Sequence, residues 1–169
     1  KKYMFKENQI QVSFTDLELI RVISVESSVY QEEEFPHFPA EEINFYRLIG
    51  TNYIFIKIGS EILANQKVCV LSFFASSNSP ISPIEIRNAS HLTTFLNDTP
   101  RSLFLAFQNC EIITYVSPKQ ETTDTLYSFQ IDLTNSINHR NGDDLILAIS
   151  LTSNQNVDFI DNCFLQTLN

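Results

Sequence analysis

Short runs in which apolar and polar residues alternate are the feature that most constrains how this chain folds. The clearest run extends from Tyr127 to Leu133, where the odd-numbered residues are apolar and most of those between them are polar. Successive side chains of a β-strand lie on opposite faces of its sheet, so this run predicts a strand with one buried face. Similar runs occur at residues 10–14, 17–23, 43–49, 53–58, 145–151 and 159–168.

Three further apolar stretches lack this alternation. Residues 68–74 are nearly all apolar, which is typical of a strand covered on both faces. Residues 103–107 and 112–116 flank Gln108 and Asn109, and this arrangement predicts a β-hairpin. Helical periodicity is rare, and only residues 61–66 and 91–96 are expected to form one or two helical turns.

The whole pattern predicts an all-β fold with little helix. About 8–10 strands in one chain suit a two-sheet antiparallel sandwich of jelly-roll type. We expect residues 1–169 to form a single β-sandwich domain, since the sequence contains no internal repeat. An immunoglobulin-type sandwich and a closed barrel are the alternatives. The jelly roll is favoured over the immunoglobulin type, because the sequence has no Trp for a Cys…Trp…Cys core.

The charge balance bears on the class of partner. Asp and Glu number 20 against 11 Lys and Arg, which gives a formal net charge of −9. Such a chain repels phosphate backbones, so we expect no nucleic-acid partner; no apolar stretch is long enough for membrane insertion. The three glycines, Gly50, Gly59 and Gly142, cannot form either phosphate-binding glycine motif. The expected partners are therefore proteins.

Metal and cofactor sites are not predicted. The histidines His37, His91 and His139 are far apart in the sequence and have no ligand spacing with one another or with a cysteine. Residues 143–144 and 158–162 carry acidic side chains suited to calcium, but we interpret them as solvated loop residues.

Catalysis is not predicted either, because the sequence lacks a G-x-S-x-G motif and a local Cys–His pair. We therefore expect a protein that is not an enzyme and has no cofactor. The three cysteines, Cys69, Cys110 and Cys163, lie in or beside apolar stretches, so we interpret them as buried thiols. One disulfide among them remains an alternative.

The acidic segment at residues 32–42 is the most distinctive local sequence. Its prolines, Pro36 and Pro39, argue against a regular strand or helix there. Phe35, His37 and Phe38 are candidate interaction residues, because a loop with aromatic residues in an acidic frame suits a basic groove on a neighbouring protein. Alternatively, the two phenylalanines close one end of the sandwich.

The end of the chain resembles a known family. Residues 141–143, Asn-Gly-Asp, open an apolar strand through Leu145, Leu147 and Ile149, and a closing strand follows near Phe164. This arrangement is similar to the end of tumour-necrosis-factor-like ligands, which are trimeric jelly rolls whose closing strand reaches the threefold interface. The chain departs from that family by having Leu165 after Phe164, where an aromatic residue is usually followed by Gly. The resemblance implies a jelly roll.

Together these observations favour a structural or assembly subunit, such as a virion capsid, vertex or spike component. The alternative is an extracellular receptor-binding ligand or an adhesin-like or lectin-like module. We expect a homo-oligomer or contacts with other structural subunits, located in a virion or outside the cell. Residues 159–168, with Phe159 and Phe164, and residues 3–14 are expected to contribute to the interface.

Overall fold

The structure is a computed structural model that describes residues 2–4, 11–17, 19–26, 29–31, 37–40, 43–95, 97–121, 125–138, 143–160 and 163–168. Most of the described residues lie in β-strands and few lie in helices. The β-rich, antiparallel class expected from the alternating runs is thus confirmed.

The described ranges form 13 strands. In chain order they are β1 (Lys2–Met4), β2 (Gln11–Leu17), β3 (Leu19–Glu26), β4 (Val29–Gln31), β5 (His37–Ala40), β6 (Ile43–Ile58), β7 (Val68–Ser76), β8 (Ile84–Asn88), β9 (Glu111–Val116), β10 (Lys119–Gln120), β11 (Leu126–Asp132), β12 (Leu145–Ile160) and β13 (Cys163–Leu168). The helices are α1 (Ser60–Leu63), α2 (Pro100–Phe107), α3 (Thr134–Asn138) and a 3₁₀ helix (Ser90–Phe95).

Two long strands connect the parts of the sheet. β6 and β12 have 16 residues each and pair with one another along most of their length, with a bulge between Ser153 and Val157. On its other side, β12 pairs first with β8 and later with β7, where Asp158 and Phe159 lie opposite Ser76 and Ala75. The strands that connect to β12 through β6 and β8 form one group, and those that connect to it through β7 form another.

The first strand group has the order β9-β8-β12-β6-β3-β4, and the second has the order β1-β2-β13-β7-β11-β10. β5 pairs with the beginning of β6.

The main hydrophobic core contains side chains from both groups. Ile54 and Leu147 from the first group and Leu71 and Leu165 from the second are all fully buried in it. At its centre, the rings of Phe73 and Phe129 are stacked with centroids 4.9 Å apart, and the ring of Phe159 lies 5.4 Å from that of Phe73. The apolar residues of the alternating runs therefore meet in one cluster.

Helices cover the outer face of the first strand group. Phe55 and Ile146 point away from the main core and pack with Leu103 and Phe107 of α2 in a second buried cluster. β6 and β12 are thus buried on both faces where they cross this group. The expectation that residues 68–74 are covered on both faces is wrong, because Val70 and Phe74 remain partly exposed.

The prediction of a hairpin around Gln108 and Asn109 is also wrong, because its first arm, residues 103–107, is part of helix α2. The Thr99 side chain accepts a hydrogen bond from the backbone N–H of Ser102, and Pro100 occupies the first turn, where a missing N–H costs nothing. The second arm is a strand, but β9 pairs with β8 instead.

The end of the acidic segment, residues 37–40, forms a strand, which the sequence did not predict. Pro39 lies within β5, opposite Asn44 of β6, although its presence argued against a strand. In the described ranges, β5 pairs with β6 alone, and proline is tolerated in such an edge strand because one side needs no N–H donor. Residues 32–36, including Phe35, lie outside the described ranges.

Candidate functional site

The closing strand β13 has one buried face and one partly exposed face. Cys163, Leu165 and Thr167 are buried, whereas Phe164 and Leu168 are only partly buried. This alternation follows from the strand geometry, because the buried residues face the main core and the others face outward. The outward side of β13 therefore presents Phe164 and Leu168, with the exposed Gln166 between them.

The neighbouring strand β7 continues this apolar face. Val68 is 37% exposed, and Val70 and Phe74 are partly exposed. In register, Leu168 lies opposite Val68, and the rings of Phe74 and Phe164 have centroids 6.1 Å apart. We call the five residues Val68, Val70, Phe74, Phe164 and Leu168 the β7–β13 surface.

The β7–β13 surface lies outside both hydrophobic clusters that the described residues form. It differs in this respect from the first strand group, whose outer face is packed under α2 and the 3₁₀ helix. None of these five side chains is charged, which is typical of the centre of a protein interface. On the flanking strands, Asp132 of β11 is the register partner of Val70, and Asp16 of β2 is the register partner of Phe164. The β7–β13 surface is therefore a candidate contact surface.

The structure brings the two predicted interface segments together. β2 pairs with β13 along its length, so that Val12 is the register partner of Leu168 and Phe14 is the register partner of Gln166. β1 continues the sheet, with Tyr3 opposite Val12. Residues 5–10 lie outside the described ranges. The N-terminal and closing segments thus belong to the same part of the sheet, which the sequence alone did not show.

The predicted interaction residues have different positions. Phe164 belongs to the β7–β13 surface, whereas Phe159 is fully buried and packs against Phe73. His37 and Phe38 lie in β5, opposite Tyr46 and Phe45 of β6, and so on a different strand pair from Phe164. An interaction role for any of them stays a prediction.

Sequence reasoning missed a groove of about 840 Å³ between β9 and β11. Its most exposed large side chain is Tyr115, at 61%. Hydrogen bonds from the side chain and backbone of Thr134 lower the pKa of Asp132, so this carboxylate stays ionised near neutral pH. The lining residues are Val68, Ile113, Thr114, Tyr115, Val116, Ser117, Gln130, Ile131, Asp132, Thr134, Asn135 and Ser136.

One cysteine lies near a histidine. The Cys110 sulfur is 4.0 Å from Nε2 of His91 and 3.7 Å from the carbonyl oxygen of Ala106. Burial raises the pKa of this thiol, and the nearby Arg87 offsets the effect only in part. Because the thiolate is the nucleophilic form, this arrangement does not activate Cys110 for catalysis.

The described ranges contain no group of three or more His, Cys, Asp and Glu side chains placed to hold a metal ion. His139, Asp161 and Asn162 lie outside those ranges. No helix of the described residues has the length and apolar character needed to cross a membrane.

We expect the three cysteines to be unreactive in the folded chain. Cys69 is fully buried, Cys163 is 1% exposed and Cys110 is 5% exposed, which confirms that they are buried thiols. A thiol reagent such as dithiobis(nitrobenzoate) should therefore modify them only after denaturant is added. Rapid modification of any cysteine in the native chain would contradict this packing.

In the comparisons with known proteins, no protein-family model matches the chain, and no curated protein matches its sequence.

Proposed function

We propose that this chain is a non-enzymatic structural subunit of single jelly-roll type that assembles through the β7–β13 surface. A virion capsid, vertex or spike component is the kind of assembly that fits. The observation that carries the proposal is a group of apolar side chains on two paired strands that remain partly exposed outside both hydrophobic clusters. Neighbouring apolar side chains that stay partly exposed on one face of a strand pair are typical of a protein contact.

The strand order supports the jelly roll. The strands β2, β6, β7, β8, β9, β11, β12 and β13 can be taken as the first to the eighth core strands. The first, eighth, third and sixth then pair in that order, as β2-β13-β7-β11. The second, seventh, fourth and fifth pair as β6-β12-β8-β9. Two interleaved four-stranded orders of this kind are those of a jelly roll with two Greek keys.

The character of the surface supports a protein partner and specifically a second copy. Val68, Val70, Phe74, Phe164 and Leu168 carry no charge, so joining two such surfaces does not bury an unpaired ion. With a net charge of −9, copies of the chain repel one another elsewhere. An uncharged patch is thus a suitable place for them to meet, and partners with phosphate backbones remain disfavoured.

An extracellular ligand or adhesin-like module is the second candidate. The strand order favours it to the same extent, because the tumour-necrosis-factor-like ligands that the end of the chain resembles are also jelly rolls. The two candidates differ in the assembly that they require. A ligand of that type is a closed trimer in solution, whereas a shell or vertex subunit joins a larger assembly or other structural subunits.

The substitution Phe164→Lys tests the proposal. It places a charge on the β7–β13 surface, opposite Asp16 of β2 in register, and burying a charge among the apolar side chains of an interface is costly. We expect at least a tenfold rise in the dissociation constant of the assembly, since about 1.4 kcal/mol corresponds to a factor of ten. Sedimentation velocity over a concentration series measures it.

The matched control is Leu105→Lys. Leu105 is 48% exposed on α2, away from the β7–β13 surface, so this variant should assemble like the original chain. Near-ultraviolet circular dichroism verifies that both variants are folded. A folded Phe164→Lys variant with unchanged assembly would count against this surface.

A further inference from the structure

We propose that the groove between β9 and β11 accepts an extended basic segment of another protein, which pairs with β9 as an additional strand. This contact is separate from assembly through the β7–β13 surface, with which the groove shares only Val68. The two sites adjoin, because Asp132 in the groove is the register partner of Val70, so the groove is tested at a protein concentration where the chain is monomeric.

The first argument is the open edge of β9. Within the described ranges, β9 pairs with β8 and with no strand on its other side. After the exposed Glu111, residues 112–116 of this edge carry no charge, and Ile112 and Tyr115 are 41% and 61% exposed. Natural edge strands are usually protected by charges or proline, and an edge without them is available for strand addition.

The second argument is the position of the groove. It is lined by consecutive residues of both strands, 113–117 and 130–132, rather than by alternate ones. Because alternate residues line a sheet face, consecutive ones indicate that the groove follows the strand edges. β10 pairs with β11 only at Tyr127 and Ser128, so in the described ranges residues 129–132 also have one open edge. An extended segment in the groove would lie between two open edges.

The third argument is charge complementarity. Asp132 is the only charged side chain in the lining, and it is exposed. Glu111 at the beginning of β9 is exposed but lies outside the lining, as do the exposed Lys67 and Lys119. The whole chain is acidic, with a net charge of −9, and so attracts a basic partner over a distance. The exposed ring of Tyr115 and the partly buried Ile113 and Val116 offer apolar contact to the side chains of the incoming segment.

Titration of the isotopically labelled chain with two short peptides tests this proposal. The basic probe is acetyl-Lys-Thr-Val-Thr-Ile-Thr-Lys-amide, and the matched probe replaces both lysines with glutamate. We expect the basic peptide to move the amide resonances of β9 and of residues 129–132. The glutamate peptide should bind at least about fivefold more weakly at low salt, because its charges repel Asp132. N-methylation of the basic peptide at alternate residues should abolish binding in one of its two registers, since strand addition requires backbone N–H donors.

Variants isolate the contribution of the groove carboxylate. Asp132→Asn keeps an oxygen that accepts the hydrogen bond from the backbone N–H of Thr134, now 2.9 Å long, but removes the charge. We expect it to weaken the basic peptide about threefold, as for a partly exposed ion pair. Glu61→Gln removes the same charge from an exposed position on α1 and should leave binding unchanged.

Several results would overturn the proposal. These are no resonance shifts at millimolar peptide, equal binding of both peptides, or an equal effect of Asp132→Asn and Glu61→Gln. Shifts centred on the β7–β13 surface would also overturn it. If β9 resonances change with protein concentration in the absence of peptide, and change equally in the Phe164→Lys variant, the occupant is a second copy of this chain and the proposal is again wrong.

Discussion

Replacing Phe73 with alanine is expected to lower the free energy of unfolding by about 3–5 kcal/mol, the range observed for large core aromatics. Phe73 is fully buried and contacts the rings of Phe129 and Phe159, with centroids 4.9 Å and 5.4 Å away. Alanine would leave a cavity between three strands of the core. Equilibrium unfolding in urea measures the loss.

The adjacent residue provides the control. Phe74 has the same side chain but faces outward and is partly exposed, beside Phe164. We expect Phe74→Ala to cost less than half as much stability as Phe73→Ala, because less apolar area returns to water. Its main effect should be weaker assembly. Equal destabilisation by the two substitutions would contradict the assignment of inner and outer faces on β7.

Arg87→Ala is expected to have the second largest effect on stability. The Arg87 guanidinium donates hydrogen bonds to the carbonyl oxygens of Gln108 and Cys110, at 3.1 Å and 3.2 Å, and to the carboxylate of Glu85, at 2.5 Å. It also lies over the ring of Phe107, 4.9 Å from the centroid. This side chain therefore connects β8 to the end of α2 and to the residues that follow it.

Loss of these contacts should cost about 2–3 kcal/mol, the upper range for hydrogen bonds that involve a charged group. Arg87→Lys should recover only a small part, since an ammonium cannot reproduce the planar fork of donors. Arg101→Ala is the control, because Arg101 is exposed on α2 and should change stability by less than about 0.5 kcal/mol. The same urea unfolding experiment distinguishes them, and similar values for Arg87→Ala and Arg101→Ala would contradict this role.

Local patterns predicted much of the strand content. The alternation at residues 127–133 corresponds to β11, where Tyr127, Phe129 and Ile131 are buried as expected. α2 was missed because its apolar residues were interpreted as a strand, although Thr99-Pro100 is a typical helix start. Capping residues thus carried information that periodicity in so short a segment did not.

The candidate surface required long-range pairing. Phe164 was predicted from its place in the closing strand, but Phe74 and Val68 join it only through the register of β13 with β7. Phe159 was predicted together with Phe164, yet it lies on the buried face of β12. These side chains meet because two strands roughly a hundred residues apart pair in one particular register, and no local sequence pattern specifies that register. The groove between β9 and β11 depends on such pairing as well.

The mass of the original chain in solution tests the central claim most directly. Sedimentation velocity should show an oligomer at micromolar concentration that dissociates on dilution, and Phe164→Lys should shift this equilibrium toward the monomer. A chain that stays strictly monomeric at high micromolar concentration, with Phe164→Lys indistinguishable from it, would contradict assembly through the β7–β13 surface.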